Sequence, residues 1–118
     1  MTPSRHPDEL LPLTHLTYHV LLAMADRPRH GYGIIQEVER RTDGVTQLEA
    51  GTLYAAIKRM VEEGLIRPAA GDGGRRRNYA LTTLGRKVLA AESERLAKLL
   101  QVARDKNVLP ASSVGSNA

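Results

Sequence analysis

Apolar residues recur along this chain at helical and then at extended spacing, and the changes of period mark out its elements. Across residues 13–25, Leu13, Leu16, Val20, Leu21 and Met24 fall three or four apart, predicting a helix whose C-terminal half is apolar nearly all round. Pro28 breaks that pattern, and Gly31 opens a second helix. In it Ile34, Ile35 and Val38 form the inner stripe, Gln36, Glu37, Glu39, Arg40 and Arg41 face water, and the end falls near Gly44. Residues 45–48 read as one short strand. Residues 49–52, small and acidic, suit the start of a third helix. Its inner positions are Leu53, Ile57, Met60, Val61 and Leu65, with Gly64 as the C-terminal stop. Residues 66–69 and 77–81 are extended segments flanking Gly71, Asp72, Gly73 and Gly74, and Tyr79 and Leu81 alternate with Asn78 and Ala80, which predicts a β-hairpin. Thr82 and Thr83 are placed to cap a last long helix reaching about Lys106, with Leu84, Val88, Leu89, Leu96, Leu99, Leu100 and Ala103 as its apolar positions.

The expected architecture is therefore mainly α with a small β-hairpin wing: a winged helix-turn-helix over residues 13–81 and a long C-terminal helix over 82–106. Residues 1–12 are expected to be a flexible N-terminal arm and 107–118 a disordered tail rich in Ser, Gly and Asn. The side of the third helix opposite its apolar stripe carries Thr52, Ala55, Ala56 and Arg59, with Lys58 beside it. A major groove about 12 Å wide admits a helix about 10 Å across only where its leading face is slim. Thr52, Ala55 and Ala56 meet that condition, while Lys58 and Arg59 are long enough to reach guanine edges or phosphates. The bland reading of the alanines is helix propensity alone, and Tyr32 and Tyr54 could equally be rim residues of the core.

Charge sharpens this picture. The 118 residues hold 17 Lys and Arg against 13 Asp and Glu, a net charge of +4. That is modest, but three of the cations, Arg75, Arg76 and Arg77, follow directly on the glycine-rich tip. Glycines let such a tip approach a sugar-phosphate backbone closely, and the arginines can neutralise phosphates or enter a narrow minor groove. A solvated turn is the plainer reading of an arginine run standing alone; the hairpin and third helix around it favour DNA. The chain has no cysteine, which excludes disulfides, thiolate metal sites and a cysteine nucleophile and points to the reducing cytoplasm. Residues 1–12 contain no continuous apolar run, so neither a signal peptide nor a membrane span is expected there. His15 and His19 have metal-ligand spacing on a helix, but no third ligand is near in sequence. The glycine stretches lack the lysine and strand context of a phosphate-binding loop. No cofactor, no metal and no catalytic constellation is expected.

Four stretches together resemble the PadR family of regulators: residues 30–35 (HGYGII), 51–57 (GTLYAAI), 62–66 (EEGLI) and 75–82 (RRRNYALT). The resemblance runs from about Leu16 to Leu89 in the family's order and spacing. It implies a repressor binding a palindromic operator as a dimer, with Tyr32, Thr52, Tyr54, Lys58 and the wing arginines near DNA. Two departures stand out. Many relatives place Ser-Pro where this chain has Glu49 and Ala50, which puts an acidic group near the DNA side, and the C-terminal part is a single helix where longer relatives have several. Relatives often respond to small aromatic or drug-like molecules held between protomers, so a small-molecule effector is a further possible partner. The lack of Trp and Phe argues against an aromatic cage for one.

On the last helix Leu89, Leu96 and Ala103 repeat by seven, with Leu99 and Leu100 adjoining, and a stripe this far from the domain core needs an outside cover. A second copy is the expected cover, presenting two recognition helices about 34 Å apart. Folding back on its own domain is the competing arrangement. The alternative function is a protein-interaction module that uses the winged surface for assembly and never touches DNA.

Overall fold

Thr14 starts the first helix: its Oγ1 accepts a hydrogen bond from the Thr17 N–H at 3.1 Å, satisfying a donor the helix itself leaves free. The computed structural model describes residues 6–70 and 76–110. Along them run α1 (His15–Ala23), β1 (Arg29–His30), α2 (Gly31–Arg41), α3 (Ala50–Glu62), β2 (Ile66–Ala69), β3 (Asn78–Leu81) and α4 (Thr83–Asp105), preceded by a single 3-10 turn at Pro7–Leu10. Their order matches the expected winged helix-turn-helix, with Gly64 holding the left-handed φ of 80° that stops α3.

The wing has three strands, not two. The order is β1-β3-β2, antiparallel throughout, with Arg29 opposite Tyr79 and Ile66 opposite Leu81. The two residues of β1 pair with Tyr79 and Asn78, tying the tip-side end of β3 to the start of α2. Residues 45–48, expected to be a strand, are not one. The Thr42 hydroxyl donates to the Val38 carbonyl at 2.8 Å and accepts from the Thr46 N–H at 3.1 Å, so a side chain satisfies the turn where no partner strand is at hand.

One core gathers every helix and the wing. Val20 and Leu21 of α1, Ile34 and Val38 of α2, Leu53 and Met60 of α3, Leu65, Ile66 of β2 and Val88 of α4 are all buried. Each such side chain contributes roughly 1.5–3 kcal/mol on burial. Leu89 belongs to this core as well, which corrects its expected place on the dimer stripe. It lies one residue from Val88 and four from Gly85, on the stripe that faces inward, so the winged domain extends into α4 beyond Leu81. Glu37 is likewise not a water-facing residue. Its side chain is 15% exposed and lies among Arg29, Arg40 and Arg41, fastening β1 to α2.

The expected flexible arm is, from His6 onward, packed. The Pro7–Leu10 turn lies along α4, Leu10, Leu11 and Leu13 lean on the core, and the Leu13 N–H donates to Glu92 Oε2 at 3.2 Å. Glu92 is 2% exposed and also accepts two hydrogen bonds from Arg95, at 2.6 and 2.9 Å. The Arg95 bonds hold its carboxyl below the ordinary carboxylate value, burial works against them, and the Leu13 N–H adds to the lowering. Nearby, the Tyr18 hydroxyl and Ser93 Oγ are hydrogen-bonded at 2.8 Å, a second strap between α1 and α4. No helix among the described residues is long and apolar enough to cross a membrane.

Candidate nucleic-acid interface

α3 is amphipathic along its whole length: Leu53, Ala56, Ile57 and Met60 are buried, while Thr52, Tyr54, Ala55, Lys58 and Arg59 are exposed. Ala56 thus leaves the expected slim face. It sits three residues after Leu53 and four before Met60, which is the inward stripe of an α-helix. The outer face keeps Thr52, Ala55 and Arg59, spaced by three and four, with Lys58 and Tyr54 on its flank. Lys58, Arg59, Arg76 and Arg77 have no carboxylate within 4.0 Å among the described residues, whereas Arg29, Arg40, Arg41 and Arg95 are all paired.

At the N-cap of α3, Glu49 makes no capping hydrogen bond; it accepts instead from the Thr52 hydroxyl at 2.8 Å. The Glu49 carboxylate thus stands beside Thr52 at the start of α3 and occupies its proton. Tyr54, half-exposed, lies flat over the first residue of α2. A Cβ added to Gly31 would come within 2.4 Å of the Tyr54 hydroxyl oxygen, so any larger residue there must push the Tyr54 ring aside. Tyr32 projects from the next position, 49% exposed, with the Arg76 guanidinium 5.3 Å from its ring centroid.

The wing and α3 leave two adjoining clefts. One, about 370 Å³, lies between Tyr54, Lys58 and Glu62 of α3 and Pro68, Arg77 and Tyr79 of the wing. The other, about 270 Å³, is lined by His30, Gly31, Tyr32, Tyr54, Arg76, Arg77 and Tyr79, with no carboxylate among them. So Tyr32, Tyr54, Lys58, Arg76 and Arg77, named from the sequence, surround these two clefts, and Thr52, Ala55 and Arg59 lie on the outer face of α3. Arg75 and the glycine tip at 71–74 lie outside the described residues. His30 was missed. It is not a favoured N-cap residue, yet its Nδ1 accepts from the Gly33 N–H at 2.9 Å and starts α2.

The remaining sequence candidates lie apart from this face. On α4, Leu96 and Ala103 are half-buried, while Leu99 and Leu100 are 55% and 46% exposed; Val102, not foreseen, is 48% exposed beside them. The His15 and His19 rings meet edge-on with centroids 4.4 Å apart, and Arg41 Nη1 lies 3.1 Å from His19 Nδ1. Burial first, then the charges of His15 and Arg41, push the His19 pKa down. Among the described residues no group of three or more His, Cys, Asp or Glu is placed to hold a metal ion.

A helix-turn-helix with an exposed cationic second helix, braced by a basic wing, defines the winged-helix class of DNA-binding proteins. The model of the transcriptional regulator PadR-like family matches residues 20–91, and the chain belongs to that family. It is accordingly a transcriptional regulator and not an enzyme. It is 32% identical over 91 residues to an uncharacterized protein X of Lysinibacillus sphaericus, covering 75% of this chain and 84% of that one. Its fold is similar to a PadR family transcription regulator of Clostridium difficile R20291, with a TM-score of 0.66 and 25% identity over 78% of this chain and 97% of that one. It is also similar to Bacillus subtilis PadR, solved in complex with operator DNA, with a TM-score of 0.60 and 22% identity over 68% of this chain and 47% of the other.

Proposed function

We propose that this regulator acts in the cytoplasm as a homodimeric repressor, seating α3 of each protomer in the major groove of a palindromic operator. Thr52, Ala55 and Arg59 face the base edges, and Tyr32, Tyr54, Lys58 and the wing arginines hold the flanking backbone. One observation carries this reading: Lys58 and Arg77 line one cleft and Arg76 and Arg77 the next, with Arg59 beside Lys58 on α3, all four exposed and without carboxylate partners among the described residues. Cations left unpaired on a folded surface are available to displace counterions from DNA. The apolar end of α4, from Leu96 to Ala103, meets its counterpart across a two-fold axis, and a small-molecule effector wedged between the protomers would release the operator by altering their spacing.

The test is fluorescence anisotropy with duplexes from the gene's own upstream region and a scrambled duplex of equal length, across a salt series. Selective binding is expected, with log affinity falling by about 0.9 for each phosphate contacted per tenfold rise in salt. Arg59→Ala is expected to lose about 1–3 kcal/mol on the specific duplex and little on the scrambled one. Failure of the wild type to bind any duplex at low salt would leave the winged surface to protein assembly instead.

A further inference from the structure

The two ring nitrogens of His30 face two different donors, the Gly33 N–H and the Arg76 guanidinium. Nδ1 accepts from the Gly33 N–H at 2.9 Å, so it carries no proton. A neutral imidazole has one, which must then reside on Nε2. Nε2 lies 3.3 Å from Arg76 Nη1, and guanidinium nitrogens only donate. Neither group can accept from the other, so this contact is no hydrogen bond but a pair of converging donors. An oxygen acceptor set between the two nitrogens would satisfy both, and none of the described residues lining the cleft is a carboxylate.

The surroundings say what kind of acceptor. The cleft in front of these two donors, about 270 Å³, carries the exposed Tyr32 and Tyr54 rings and Arg77, and no carboxylate lines it among the described residues. Arg76 is held over the Tyr32 ring and is thereby aimed into the cleft. The hollow of about 560 Å³ on α2 differs: Arg27, Arg29 and Arg40 share its walls with Glu37 and Glu39, and Arg29 and Arg40 are already paired with Glu37. An anionic group with several oxygens and little bulk therefore suits the first cleft better.

We infer that His30 Nε2–H and Arg76 together grip one phosphodiester of the duplex backbone, with His30 serving at once as the N-cap of α2 and as a DNA contact. The inference rests on the operator-binding reading and adds to it a residue that reading does not use. Each protomer's wing is then tied to the start of α2 through a single phosphate, which sets how deeply α3 can sit in the groove. Such a seat reads no base, so it contributes equally on every sequence.

His30→Ser separates the two duties, because a serine oxygen also caps a helix but cannot reach the cleft. Its melting temperature is expected to stay within a degree or two of wild type while affinity falls about tenfold on the specific and scrambled duplexes alike. The salt slope should not move, since a neutral ring is lost. Arg76→Gln, in contrast, should lower both affinity and slope, the latter by about 0.9 per protomer. The double variant should cost less than the product of the singles, the mark of two groups on one ligand. Wild-type affinity in His30→Ser, or strict additivity with Arg76→Gln, overturns the inference while leaving operator binding intact. Displacement of the duplex by millimolar inorganic phosphate at constant ionic strength overturns it too, by making the cleft a small-anion site. A wild type that binds no duplex removes the operator reading and this seat together.

Discussion

Glu49 and Arg59 stand at opposite ends of one helical face, and under the proposed operator binding they are expected to pull affinity in opposite directions. Glu49 puts a carboxylate at the leading end of α3, makes no cap, and engages the Thr52 hydroxyl. Glu49→Ser is therefore expected to add a capping bond worth about 1 kcal/mol in a melting experiment. It should also tighten DNA in the anisotropy titration, because one repulsive charge goes and Thr52 is freed. Gly31→Ala acts oppositely. The new methyl would push the half-exposed Tyr54 ring aside, so DNA binding is expected to weaken in the anisotropy titration while the denaturation midpoint moves little. Glu92 governs the acid response. Its carboxyl titrates below the ordinary carboxylate value in the folded chain, so the stability it contributes is whole above that ordinary value, near pH 4.3, and is lost as pH falls through the depressed one. Glu92→Gln should flatten melting temperature against pH in that acid window and lower it near neutrality.

At the scale of elements, four helices and both hairpin strands were legible, because each carries its own period and its own punctuation. Thr82 illustrates the second. Its Oγ1 accepts from the Gly85 N–H at 2.9 Å, the capping bond that a Thr before an apolar run announces, and the hydroxyl donates to the Gly64 carbonyl at 2.5 Å. Thr82→Ala should cost about 1 kcal/mol by the cap alone, with the lost tie to Gly64 added, measured as a fall in denaturation midpoint. β1 was not legible: two residues hold no period, and their partners Tyr79 and Asn78 lie some fifty positions away. Residues 45–48 misled for the mirror reason, since a β-prone run is only a strand where another strand is free to pair with it. Ala56 and Leu89 were misplaced because both obey the inward three-and-four spacing of their helices, and the attraction of a slim face or a seven-residue repeat concealed it. In the site, the cations and tyrosines were visible as residue types on an exposed face. His30 was not, because its role comes from the Gly33 N–H on one side and Arg76, far along the chain, on the other.

For the molecule as a whole, the end of α4 is where the proposed dimer is tested. Leu99, Leu100 and Val102 are exposed to an extent that a folded chain seldom leaves uncovered in one place. Replacing Leu99 and Leu100 together by Glu is expected to give a monomer in sedimentation equilibrium. The winged domain should melt almost as before, because its core draws on the other half of the helix. Operator affinity should then fall by two orders of magnitude or more, since two linked half-sites become two separate binding events.

The straps from Leu13 to Glu92 and from Tyr18 to Ser93 bear on the operator itself. They weld α1, and with it the whole winged unit, to the root of α4, leaving no swivel between the part that reads and the part that pairs. The proposed dimer would then work as a caliper with its jaws locked. Inserting about five base pairs at the operator's centre is expected to turn one half-site to the far side of the duplex and abolish tight binding.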